Sequence, residues 1–172
     1  REGLKQGLEL QAKFGVNPYK FGMIGSTDSH TSLSTAEEDN FFGKHSGAEP
    51  GPERMSHPFM SNDNGTIMGW QQVASGLAGV WAKDNTREAL FDAMERKETY
   101  ATTGSRMRVR MFGGYGFAPD FHQRADAIAA AYAEGVPMGS DLPAPPPGAA
   151  PSLAVFALRD PDSAPLQRIQ VV

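Results

Sequence analysis

The chain has 172 residues, 40% of them apolar, which suffices for one domain with a core or for the end of one domain and the start of another. A formal charge of -4 argues against a broad surface tracking nucleic-acid phosphates, and no run approaches the roughly 18 apolar residues of a membrane helix. The absence of cysteine excludes disulfides and thiolate metal sites, leaving His, Asp and Glu as the strong ligands.

The chain opens at Arg1 inside a helical pattern and stops at Val172 inside a strand-like run, so it reads as a fragment of a longer protein. Leader segments would precede Arg1, which leaves the compartment open, periplasm and exterior included. Leu4, Leu8 and Ala12 recur every four residues, with Glu9 to Lys13 in the favourable ion-pair order and Gly15 as a stop, predicting an amphipathic helix. After Asn17 and Pro18, the apolar run Tyr19 to Ile24 predicts a buried strand ending at Gly25.

From Ser26 to Asp84 periodicity is weak, and residues 31–84 are expected to form a long loop, with a solvated acidic block at Glu37 to Asn40. Its aromatics Phe41, Phe42, Phe59, Trp70 and Trp81 favour an ordered loop. Asn62-Asp63-Asn64-Gly65 lacks the closing Glu of a calcium loop and reads as a turn.

Asn85 with Glu88 resembles a capping box ahead of a helix from about Thr86 to Lys97. Beyond it Met107, Val109 and Met111 alternate with Arg106, Arg108 and Arg110, predicting a strand with an apolar inner face and a basic outer one. Ala125 to Ala133 suggests a short helix ended by Gly135 and Pro137. Residues 143–151 are dense in Pro, Gly and Ala and read as a linker, followed by strands at Leu153 to Leu158 and Leu166 to Val172.

The chemistry concentrates at Gly25-Ser26-Thr27-Asp28-Ser29-His30, where the expected strand meets the long loop. Catalytic groups in α/β folds are mounted at such strand ends. On extended chain, residues two apart point to one side, so an Asp oxygen and a His nitrogen can reach the same metal. Asp-x-His alone is a weak motif, and on spacing alone a loop-capping Asp28 with a backbone-bonded His30 is the better explanation. No Gly-x-Ser-x-Gly elbow supports a serine hydrolase. His45, His57 and His122 each lack a ligand-spaced partner and read as solvated or internally satisfied.

KFGMIGSTDSHT, from Lys20 to Thr31, resembles a late strand of the polymerase-and-histidinol-phosphatase (PHP) superfamily, which carries a Gly-Ser-Asp-x-His-like segment there. Together with STAEEDNFFGKHSG, TYATTGSR at Thr99 to Arg106 and GVPMGSDL at Gly135 to Leu142, the chain resembles an uncharacterised PHP-like family, domain-of-unknown-function family 3604. Thr27 is an additional residue relative to the superfamily's usual spacing.

The resemblance implies an α/β fold. Residues 1–140 would be the C-terminal portion of a distorted PHP-type β/α barrel with the 31–84 loop inserted, followed by a Pro-rich linker at 141–151 and the start of a small β-rich region at 152–172. It also implies two or three divalent metal ions, zinc, manganese or iron, with Asp28 and His30 matching the last ligand pair and the other ligands lying upstream of Arg1.

Such a site lowers the pKa of a bound water to about 7 and polarises the bond under attack. Asp28 and His30 are then both ligands and catalytic groups. Arg106, Thr103 and Lys44 are candidates to bind a small, anionic substrate, since the Arg106 fork of donors matches phosphate, sulfate or carboxylate oxygens. The expected activity is hydrolysis of a phosphoester, another ester or an amide. The alternative is a non-catalytic module recognising a glycan or protein on a metal-free barrel remnant. Nucleic-acid processing is disfavoured by the charge balance, and the isolated 172-residue piece is expected to be inactive.

Overall fold

The computed structural model describes residues 2–32, 44–45, 51–72 and 76–172. The acidic block Glu37 to Asn40, the aromatics Phe41 and Phe42 and most of the STAEEDNFFGKHSG run lie outside the described residues. Among the described residues the fold is mixed α/β, with three α-helices and small antiparallel sheets that do not close into a barrel. No helix among the described residues is long and apolar enough to cross a membrane.

The chain divides into two compact units. One comprises Arg1–Met23, Val80–Thr99 and Arg110–Phe156; the other comprises Ile24–Gly79, Tyr100–Val109 and Ala157–Val172. In the first unit, α1 (Glu2–Phe14) ends where Gly15 turns to a φ of 75°, a conformation that glycine adopts without steric penalty. Its stripe is uncovered, with Leu8 67% exposed. The expected strand after it does not form. Residues 20–29 adopt no regular structure, and Phe21 and Met23 stay exposed, the Met23 carbonyl accepting from the Thr99 hydroxyl at 3.2 Å.

Helix α2 (Arg87–Glu95) is capped by Thr86, one residue beyond the expected Asn85, the Thr86 hydroxyl accepting from the Ala89 amide at 3.2 Å. Strand β5 (Arg108–Gly114) lies between β6 (Val136–Pro137) and β7 (Ser152–Leu158) in a three-stranded sheet, so residues 143–151 join two strands of one sheet. Helix α3 (Ala127–Glu134) packs on this sheet through Ala127, Ala130 and Ala131, whose small side chains permit close approach to Phe112 and Phe121. Phe117, Ile128 and Phe156 complete the core, and Phe112 meets the Tyr132 and Phe156 rings edge-on at 4.8 and 6.3 Å.

The expected faces hold into the start of β5, where Arg106 and Arg108 are exposed while Met107 and Val109 are half-buried, and they depart from the sequence expectation at Arg110, which is half-buried as well. The arginine parity continues into Phe112 and Gly114, both buried, and Arg110 lies inward over the Trp81 ring at 3.5 Å. A cation stacked on an indole is compatible with the core side of a strand in a way that periodicity does not register.

In the second unit the expected long loop contains regular structure. Strands β1 (Pro58–Asn62) and β2 (Gly65–Met68) form an antiparallel hairpin. Its turn is the Asn62 to Gly65 segment, with the Asn64 amide donating to Asn62 Oδ1 at 2.9 Å. Strands β3 (Leu77–Val80) and β4 (Thr99–Thr102) pair with each other. Residues 166–172, expected as a strand, are exposed and irregular.

Candidate functional site

Gly25 opens the site segment in the second unit. A Cβ there would stand 2.7 Å from the Leu77 carbonyl oxygen and 3.2 Å from that of Thr102, so this close approach to β3 and β4 requires glycine. From Ser26 onward, side-chain hydroxyls set the path. Ser26 Oγ accepts from the Asp28 amide, Thr27 Oγ1 accepts from the Ser29 amide, both at 3.3 Å, and the Ser29 and Thr31 hydroxyls bond at 2.9 Å. These tight turns put Asp28 at a φ of 54°, in the left-handed region that Asp tolerates better than most residues.

Asp28 and His30 therefore do not meet by strand parity, yet they do meet. Asp28 Oδ1 lies 3.4 Å from His30 Nε2, and Asp28 Oδ2 lies 3.0 Å from Lys44 Nζ. The Lys44 hydrogen bond and charge, followed by His30, hold the Asp28 carboxyl below its ordinary range, so it is ionised at neutral pH. The His30 amide donates to the Lys44 carbonyl at 2.6 Å, forming an isolated parallel bridge between His30 and His45. The two imidazoles stack at 4.6 Å, and His45 stacks in turn on Phe59 at 4.5 Å.

His45, which the sequence leaves without a partner, thus belongs to the cluster. Its adjacency to Lys44 is the one local signal that could have suggested it. Thr103 is exposed, and Arg106 belongs to a different recess of the same unit. That recess, of about 420 Å³, is lined by β3, Tyr100, Arg108, Asp160 and Asp162 and includes none of Asp28, His30 and Lys44. There the Arg106 amide donates to Asp160 Oδ2 at 2.6 Å.

The donor pair suits a metal. Two ligands held at about 2.0–2.1 Å by a tetrahedral zinc stand about 3.3–3.4 Å apart, and the Asp28 to His30 separation of 3.4 Å meets that span. The pair is incomplete, because no group of three or more His, Asp or Glu suited to an ion occurs among the described residues. The rings of His30 and His45 are inclined by only 16°, so their nitrogens do not converge on one point.

A family model described as Protein of unknown function (DUF3604) matches residues 1–172. The chain belongs to that family. No curated protein and no solved structure matches this DUF3604 chain. Its family membership agrees with the resemblance to domain-of-unknown-function family 3604 carried by the sequence motifs.

Proposed function

We propose that this DUF3604 chain contributes part of a metal-dependent hydrolase site of PHP type, with Asp28 and His30 as two ligands and the remainder supplied by polypeptide outside the described residues. The observation that carries the reading is the 3.4 Å span between a carboxylate oxygen and an imidazole nitrogen, anchored by a left-handed Asp28. Non-glycine residues held in that region cluster at functional sites. The small sheets of the fold would be the C-terminal portion of the distorted β/α barrel.

Bound zinc, manganese or iron would supply a hydroxide near neutral pH and polarise the scissile phosphoester, ester or amide bond. Asp28, ionised beside Lys44, contributes negative charge and an oxygen 3.4 Å from His30 Nε2. His30 would hold the ion through its imidazole, the ring stacked on His45. Lys44 holds the second Asp28 oxygen and supplies positive charge for an anionic substrate.

The test is metal analysis of the full-length protein together with hydrolysis of phosphate, sulfate, carboxyl-ester and amide substrates. Asp28→Asn and His30→Ala should each weaken metal binding by about tenfold or more, since even the partners behind ligands are worth that much, and hydrolysis should fall in parallel. Unchanged metal content and rates in both variants would reject the assignment. The glycan- or protein-binding alternative draws on the incomplete donor set, and a metal-free wild-type protein without hydrolysis would favour it.

A further inference from the structure

The first unit contains a cleft of about 480 Å³, lined by Trp81, Lys83, Arg96, Glu98, Arg110 and Tyr132 with Ala82 and Pro137. This volume lies within the range of small-molecule sites, which combine apolar walls with a few placed polar groups. We propose that the cleft binds a small aromatic monocarboxylate, with Arg110 and Lys83 receiving the carboxylate and Trp81 and Tyr132 packing the ring. The proposal is independent of any metal at Asp28.

The charges in the wall are unequally matched. Glu98, only 4% exposed, has both oxygens engaged: Tyr132 donates its hydroxyl to Oε1, and Arg96 Nη2 stands 3.5 Å from Oε2. That leaves Arg110 and Lys83. Among the described residues Arg110 donates no hydrogen bond, its contacts being with the Trp81 and Tyr132 rings at 3.5 and 5.8 Å, and Lys83 forms no ion pair. Arg110 Nε is enclosed without a partner, whereas its terminal nitrogens are neither bonded nor enclosed. A guanidinium stacked on an indole is fixed in orientation, and its free edge fits the two oxygens of a carboxylate.

The same wall selects the class of anion. A planar carboxylate can lie in the plane of the Arg110 guanidinium stacked on Trp81, whereas a tetrahedral phosphate carries oxygens out of that plane, which disfavours a phosphate monoester. The paired aromatic side chains disfavour a short aliphatic acid, which would leave them uncovered.

The proposal is tested by calorimetric titration of the full-length protein near neutral pH with benzoate, benzamide, acetate and phenyl phosphate. Benzoate should bind about tenfold or more tightly than benzamide and acetate, as a charge-assisted bidentate contact implies, and more tightly than phenyl phosphate. Arg110→Met, which keeps an apolar stem on Trp81, should bring benzoate to the affinity of benzamide. Lys83→Gln, at an exposed position, should weaken benzoate about threefold and leave benzamide unchanged. Equal binding of benzoate and benzamide to the wild type, no benzoate binding in the millimolar range, or tighter binding of phenyl phosphate would overturn the proposal. So would a folded Arg110→Met protein with undiminished benzoate affinity. Should that variant not fold, Lys83→Gln and the wild-type ligand ratios decide, and an unchanged benzoate affinity in Lys83→Gln counts against the site.

Discussion

The two units are built on different physics. Every buried apolar side chain among the described residues, including Ala93, Phe112, Phe121, Ala131 and Ala154, belongs to the unit containing α2 and α3. The described residues of the unit containing Asp28 and His30 include none, and its site segment is shaped by the Asp28 and Ser29 amides donating to the Ser26 and Thr27 hydroxyls and by the Ser29–Thr31 hydroxyl pair. Such bonds each contribute a net of about 0.5–1.5 kcal/mol, against about 1.5–3 kcal/mol for burying one large apolar side chain. Among the described residues apolar burial is thus concentrated in one unit, while the strongly polar segment with a left-handed Asp28 is in the other.

Truncating the core is the most direct way to break this comparison. Phe112 is fully buried and touches both Tyr132 and Phe156 edge-on. Phe112→Ala should lower unfolding free energy by about 3–5 kcal/mol, measured by denaturant titration of the full-length protein. A loss no larger than that of an exposed residue would show that the alanine-lined core does not dominate stability.

A smaller effect is expected at Tyr132, where the core adjoins the cleft. Burial, then the Glu98 hydrogen bond and charge, push the Tyr132 phenol up to about 12. Because the folded state retains this proton above the unfolded value of about 10, the associated stability is complete below pH 10 and is lost as pH rises towards 12. Tyr132→Phe should remove that alkaline loss and leave a Glu98 oxygen without its donor, at about 1–3 kcal/mol near neutral pH. Absorbance titration of the tyrosinates and denaturation at stepped pH check both parts. A tyrosine in the wild type titrating near 10 at this position would count against the burial of the phenol.

Features set by nearby residues were legible in the sequence. The helices α1, α2 and α3, the Gly15 stop, the Asn62 to Gly65 turn and the strand at Ser152–Leu158 all follow from periodicity, caps and turn chemistry acting over a few positions. The apolar runs at 19–24 and 166–172 look like strands, but a strand needs a backbone ladder, and among the described residues neither run forms one. The half-buried position of Arg110 on β5 depends on Trp81 and Tyr132, which lie far from it in the chain. At the site, Asp28 and His30 were legible as a pair because two residues separate little in space. His45 was not, since its stack with His30 is made by a long-range bridge. The cleft around Arg110 left no local trace at all, as its walls come from β5, α3 and the segments flanking α2.

The smallest effect on stability, and the sharpest probe of the polar unit, is expected at Lys44. Its stem is largely covered, with 13% of the side chain exposed, while the Asp28 carboxylate it pairs with is mostly open to solvent. Screening leaves such a pair little net value, so Lys44→Met, which keeps the covered stem, should not measurably change the melting temperature. The electrostatic consequence is distinct. The depressed Asp28 carboxyl owes its shift first to Lys44, so the variant should titrate closer to the ordinary carboxylate value, followed by the side-chain resonances of Asp28. Stability linked to this depressed group is present above the unfolded carboxylate pKa and is lost as pH falls through the folded one; removing Lys44 should therefore flatten the acid limb. A large drop in melting temperature would instead make the Asp28 and Lys44 pair structural, and would move the source of order in this unit from its hydroxyl-bonded turns to its charges.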